Sequence, residues 1–222
     1  MNYIKAFLLK ELWEIKADWK KLIWMLLMVL LPLICLYPTR FPIMPQQLKP
    51  IYLVTIVAFG ISGQISLNSL IREKNNKTLD IILCANIPKY SVIIGKTLLA
   101  TFIGYLYCII SLFLLKAGAI MIPSSKINIG ITELFIILPL AVAYLASSIN
   151  IFTNLLVRDE RIIGLVGTII GLLITGALYL INICILQMNV YINALLIVTA
   201  GFIVNIITIF ILKNSSSLLI KY

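Results

Sequence analysis

The chain has 222 residues, of which 62% are hydrophobic and 12% charged, and its mean hydropathy is +1.10. A soluble domain carries roughly 25% charge, so this is an integral membrane protein, and the net charge of +10 reports orientation in a bilayer rather than nucleic-acid binding. There is no histidine, which removes the commonest general base and metal ligand. The four cysteines, Cys35, Cys84, Cys108 and Cys184, show no ligand spacing and read as packing residues, so no metal site is expected.

Residues 1–21 carry Glu11, Glu14 and Asp18, and no small-residue cleavage site follows the apolar run. They therefore read as an amphipathic interfacial helix and not as a signal peptide. At helical spacing Ile4, Leu8, Leu12, Ile15 and Trp19 form one stripe, with the acids beside it and most lysines opposite. This pattern fits either a membrane-surface anchor, helped by Trp13, Trp19 and Trp24, or an acidic strip that faces a basic partner protein.

Residues 22–222 read as one all-α membrane domain. A spanning helix needs about 20 largely apolar residues. Six segments are expected to cross, near Leu22–Tyr37, Ile51–Ile71, Thr97–Leu115, Leu134–Val157, Ile162–Leu180 and Tyr191–Leu212. The first is short and carries Pro32. The last two lie in one uncharged run of 51 residues, about 76 Å as a straight helix. That run must turn, at Asn182, Gln187 and Asn189, either between two spans or as a re-entrant hairpin over residues 181–190. With both termini cytoplasmic, 14 of the 18 basic residues fall inside and 4 outside, which is the preferred orientation.

The triplet Gly95-Lys96-Thr97 ends like a phosphate-binding loop, but the first glycine of that motif would stand at position 90, which is Tyr90. Residues Ser91 to Ile94 are mostly branched and apolar and suit a helix better than a loop folded around an anion. The connection over residues 71–96, IREKNNKTLDIILCANIPKYSVIIGK, is cytoplasmic in the expected orientation. Leu79, Ile82 and Leu83 recur at helical spacing, Thr78 can cap that short helix and Pro88 stops it. An apolar face there suits a docked partner, although packing on its own bundle also accounts for it.

These residues resemble the permease subunits of type-2 ABC transporters. Members of that family place a Glu after a basic residue at the end of the second span, then Gly-Thr-Leu, two leucine-like residues, a Pro and a Gly-Lys entering the third span. Arg72-Glu73, Thr78-Leu79, Ile82-Leu83, Pro88 and Gly95-Lys96 hold those places, and Lys77 replaces the glycine. The resemblance implies a coupling helix seated in a separate ATP-binding subunit, with Glu73, Thr78, Leu79, Ile82, Leu83 and Pro88 as the coupling residues. Gly95 and Lys96 would end the loop, with Lys96 snorkelling to the headgroups. It further implies an exporter in the bacterial cell membrane, not itself an enzyme, with ATP and Mg on two copies of the partner ATPase. The permease would pair with a second permease copy or a related one, and would move an amphiphilic peptide, drug or lipid-like substrate. Two rival readings are a heme-exporter permease of cytochrome c maturation and a non-transporting scaffold or immunity protein.

Within the spans the polar residues are uncharged. Gln64 and Asn68 on the second, with Ser147, Asn150 and Asn154 on the fourth, either hydrogen-bond between helices or line a substrate path. Gly164, Gly167 and Gly171 crowd the fifth span and suit either packing within the bundle or a dimer contact.

Overall fold

The structure is a computed structural model that describes residues 3–17, 19–30, 33, 49–76, 78, 81, 88–121, 134–157, 162, 165–167, 169–170, 173, 176 and 190–214. The described residues contain no strand. We label the helices α1 (Tyr3–Ala17), α2 (Trp19–Val29), α3 (Lys49–Asn75), α4 (Lys89–Met121), α5 (Leu134–Leu156) and α6 (Val190–Asn214).

Four of them are long and apolar enough to cross a membrane, over Leu53–Asn75, Tyr90–Gly118, Ile136–Leu156 and Ala194–Lys213. They correspond to the second, third, fourth and sixth expected spans. The 11-residue α2 reaches only about 16 Å, about half of a hydrocarbon core. Most of residues 31–37 and 162–180 lie outside the described residues, so the first and fifth spans are not among the crossings seen.

The third span differs from expectation, because α4 begins at Lys89 and not at Thr97. Ser91, Val92 and Ile93 are buried within the bundle, and the charge of Lys96 is neutralised there, so the helix continues through a lysine that a hydropathy window treats as a boundary. Gly95, Lys96 and Thr97 are consequently helical and buried. The Thr97 hydroxyl donates to the Ile94 carbonyl at 3.0 Å, so the triplet does not wrap a phosphate.

Helix α3 is the hub. It contributes Ile61 and Ile65 to a cluster with Met25 and Val29 of α2 and Leu99 of α4, Phe59 to another with α5 and α6, and Leu70 to a third with Ile93, Ile151 and Leu212. Small residues permit this closeness. A Cβ on Gly104 would meet Ser62 Cβ at 2.7 Å and the Ala58 carbonyl at 3.1 Å, so α3 and α4 touch backbone to side chain there. In lipid, where apolar surface gains little by leaving its surroundings, such van der Waals contact is a main source of helix association.

Candidate functional site

At one end of the bundle the C-terminal turns of α3, α5 and α6 meet the start of α4, and α1 packs across the junction of α3 and α4. Ser69, Arg72 and Glu73 stand three and four residues apart on α3 and so share a face. Lys10, Glu11 and Glu14 do the same on α1. The two faces meet around Lys96, which projects from α4 about 10 Å from its start at 1.5 Å per residue.

Lys96 Nζ is 2.5 Å from Glu11 Oε1 and 3.1 Å from Glu73 Oε2; the side chain of Lys96 is 1% exposed and those of both acids 2%. It also donates to Ser69 Oγ at 2.5 Å, and Ser69 in turn donates to Glu11 Oε2 at 2.7 Å. Lys10 bridges Glu73 Oε1 from the outer side. Lys10, Glu73, Lys96 and Glu11 therefore alternate in charge along three ion pairs whose ends, Lys10 and Glu11, are neighbours on α1, a ring closed through the backbone of that helix and of zero net charge. Glu73 Oε2 receives charge from Lys96 without hydrogen-bond geometry, and it is the one buried carboxylate oxygen among the described residues without a hydrogen-bond partner. An outer layer pairs Arg72 with Glu14, and Lys10 lies 3.5 Å from Glu14. The Lys10 ammonium is held above its ordinary pKa of 10.5: burial opposes its charge, but the hydrogen bond to Glu73 and the carboxylates of Glu73, Glu14 and Glu11 outweigh it.

This arrangement corrects three expectations. Lys96 does not snorkel, because two carboxylates and a hydroxyl hold it in the interior. It does not end a loop, since it lies inside α4. Glu11 and Glu14 of the acidic strip face cations of the same chain, Lys96, Arg72 and Lys10, so their basic partners are intramolecular, while Asp18 lies outside the described residues. The apolar stripe is also divided: Leu8 packs on the α2–α3–α4 core, while Leu12 is exposed.

A pocket of about 360 Å³ opens beside the ring, lined by Lys10, Glu14, Arg72, Glu73, Asn76, Thr78 and Ile81. The expected coupling residues divide around it. Glu73 is buried in the ring, and the Thr78 hydroxyl donates to the Glu73 carbonyl at 3.3 Å at the end of α3; most of the short helix that Thr78 is expected to cap lies outside the described residues. Ile81 is 68% exposed. Pro88 is half-buried just before α4, and its carbonyl accepts the Ser91 N–H at 2.9 Å. Leu79, Ile82 and Leu83 lie outside the described residues. On the far side of α3, Lys74 donates to the carbonyls of Asn154 and Val157, the latter at 3.3 Å, placing a cation on the carbonyl end of α5 where the helix dipole favours it.

The polar residues of the spans are mostly closed into the bundle. Ser147 shares a 3.1 Å hydrogen bond with Thr101 of α4, and Asn154 Nδ2 donates to the Leu67 carbonyl of α3 at 3.2 Å. Asn150 Nδ2 donates to Ala146 of its own helix at 2.9 Å, and its amide sits against Gly63 and Gly167, neither of which has room for a Cβ. Gly167 thus packs inside this chain's bundle; Gly164 and Gly171 lie outside the described residues. Asn68 is half-buried and Gln64 exposed, so these two do not join the seam. A partner that sequence reasoning missed is Asn205 of α6, which donates to Tyr144 Oη at 2.8 Å and Ser148 Oγ at 3.1 Å.

The signal for the ring was present in the sequence as charge balance. One lysine stands at the start of a span, one glutamate at the end of another, and a helix carries acids three residues apart. In comparisons with known proteins, no family model matches the chain, and no curated protein or solved structure does either.

Proposed function

We propose that this chain is the permease subunit of an ATP-driven type-2 ABC exporter. It has six spans, sits in the bacterial cell membrane with both termini cytoplasmic, and works as a pair with two ATP-binding subunits that hold ATP and Mg. The observation that carries the reading is the pocket at the α3–α4 connection, where Thr78 and the exposed Ile81 adjoin a charged cluster at the end of four apolar helices. An apolar side chain projected beside such a pocket offers a partner both an anchor and a polar rim. Of the motif from Arg72 to Lys96, the residues Arg72, Glu73 and Thr78 line this pocket.

In this reading the ATPase closes on ATP and moves the segment around Thr78 to Leu83. The movement passes through Glu73 and the end of α3 into the bundle. The seam of Ser147, Asn150 and Asn154 is closed in this conformation, so a path for an amphiphilic substrate requires α5 to part from α3 or α4. Energy is transferred only if the ATPase binds the closed and open permease with different affinity.

The test is affinity purification of the tagged chain from native membranes in mild detergent, with mass spectrometry of what accompanies it. A stoichiometric partner bearing a true phosphate loop, lost in Ile81→Asp or in Leu79→Ala with Leu83→Ala, is the expected result. Recovery without any ATPase after crosslinking overturns the reading and favours the scaffold.

A further inference from the structure

The ring does more than hold α1 in place, because it decides which charges α1 shows to its surroundings. Glu11 is buried, and Glu14 is turned to Arg72. Lys5, Lys16 and Lys20, in contrast, are exposed, as are Leu9, Leu12 and Trp13, the last at 70%. Lys16 lies over the Trp13 ring, 5.5 Å from its centroid. From these geometries we infer that the outward face of α1 and the first turn of α2 is a binding surface for anionic phospholipid headgroups, created by the ring, which buries the carboxylate of Glu11, and by Arg72 beside it, which turns that of Glu14 inward.

Two observations select lipid as the occupant. The first is charge: as a free helix α1 would present acids and lysines together, and anionic lipid would be repelled by the former, whereas docked α1 offers lysines interleaved with an apolar and aromatic face. The second is depth. Ser69 lies about 9 Å before the end of α3 and Lys96 about 10 Å after the start of α4, at 1.5 Å per residue. Helices of 27 and 33 residues are about 40 and 50 Å long, so each overhangs a hydrocarbon core of about 30 Å by 5 to 10 Å at either end. The element crossing them at Ser69 and Lys96 therefore lies at the boundary between hydrocarbon and headgroups, the level that Trp and Lys favour. The inference does not depend on any partner ATPase.

The experiment uses the full chain reconstituted with Trp13 as its sole tryptophan, after Trp19→Phe and Trp24→Phe, in bilayers containing brominated phosphatidylglycerol or brominated phosphatidylcholine. Trp13 fluorescence is quenched preferentially by the anionic phosphatidylglycerol, and the preference falls about fivefold for each lysine removed in Lys16→Gln and Lys20→Gln. Raising the ionic strength from 0.1 to 1 M shortens the screening length from about 10 to 3 Å and weakens the preference in the same direction. In Lys96→Met, which leaves the buried carboxylate of Glu11 without its cation, the preference is lost although both lysines remain. Equal quenching by the two lipids, or a preference unaffected by removing Lys16 and Lys20, overturns the inference. Release of the preference by a soluble acidic peptide and not by salt would assign the surface to a protein instead. Because Lys16→Gln and Lys20→Gln alter exposed positions only, they test the idea even if Lys96→Met fails to fold.

Discussion

Lys96 of α4 and Glu11 of α1, 85 positions apart in the chain, form a buried salt bridge of 2.5 Å. Neither charge would be stable alone at that depth. Removing one partner of a buried pair costs about 3–5 kcal/mol, whereas replacing both by apolar or neutral groups is often nearly neutral. Lys96→Met leaves Glu11 and Glu73 facing one another with only Lys10 to offset them, and is expected to destabilise the chain by about that amount. Glu11→Gln combined with Lys96→Met leaves the neutral pair of Lys10 and Glu73 and should recover much of the loss. Unfolding of the purified protein in bicelles measures both, and a double variant no more stable than Lys96→Met would show that the ring is not the unit described.

The approach of α3 to α4 makes a sharper packing prediction. At Gly104 an added methyl meets Ser62 Cβ at 2.7 Å, Ser62 N at 3.0 Å and the Ala58 carbonyl at 3.1 Å. Two of these atoms are backbone and cannot swing aside, so Gly104→Ala should destabilise by about 1–3 kcal/mol, as overpacked cores do. Gly60, on α3, has nothing within 4 Å of its would-be Cβ, and Gly60→Ala should be neutral or stabilising. The pair is informative because both changes add one methyl to a helical glycine, and equal effects in the same unfolding assay would remove the contact from the account.

Much of the bundle was legible because hydropathy is a local property. α3, α5 and α6 carry windows with few charges and stand within a few residues of their expected places. The start of α4 was not legible, since Lys96 ends a hydropathy window, and the groups that neutralise it, Glu11 and Glu73, lie on other helices. What the acids of α1 face was not legible for a related reason: the cations that meet Glu11 and Glu14, Lys96 and Arg72, lie on α4 and α3. Of the expected coupling residues, Glu73 was singled out by its motif, yet its burial depends on the packing of α1, which no motif contains. Ser147 and Asn154 were correctly grouped as polar on one helix; that they bond to Thr101 and Leu67 needed the register of three helices.

Asn205 and Tyr144 join α6 to α5 by a 2.8 Å hydrogen bond. The Asn205 Oδ1 atom is buried without a partner, so the residue gains from one end of its amide and loses at the other. Hydrogen bonds between membrane helices couple by about 0.6 kcal/mol on average and up to about 1.7. A double-mutant cycle on Asn205→Ala and Tyr144→Phe should fall in the lower part of that range. The single change Asn205→Ala should be mild for the same reason, since it also removes the orphaned oxygen. A coupling energy indistinguishable from zero would mean that the two side chains do not share the bond.

The raised pKa of Lys10 fixes the sign of a pH effect on α1. A lysine whose proton is held more tightly in the folded state contributes stability that is complete below its ordinary value of 10.5 and is lost as pH rises through the folded value above it. The groups that hold it are Glu73, Glu14 and Glu11. Docking of α1 should therefore be insensitive to Lys10 from neutral pH to about pH 10, then weaken at more alkaline pH as the ring loses its outer cation and carries excess negative charge. Spin labels on Lys16→Cys and Tyr90→Cys, in a chain freed of its four native cysteines, report the distance from α1 to the start of α4. The distance should lengthen or broaden only above pH 10.5 in the native ring. In Lys10→Met, which has already lost that cation, it should be broader at neutral pH and change less on alkalinisation. A distance that shifts between pH 7 and 9 instead would place the controlling titration on some group other than Lys10.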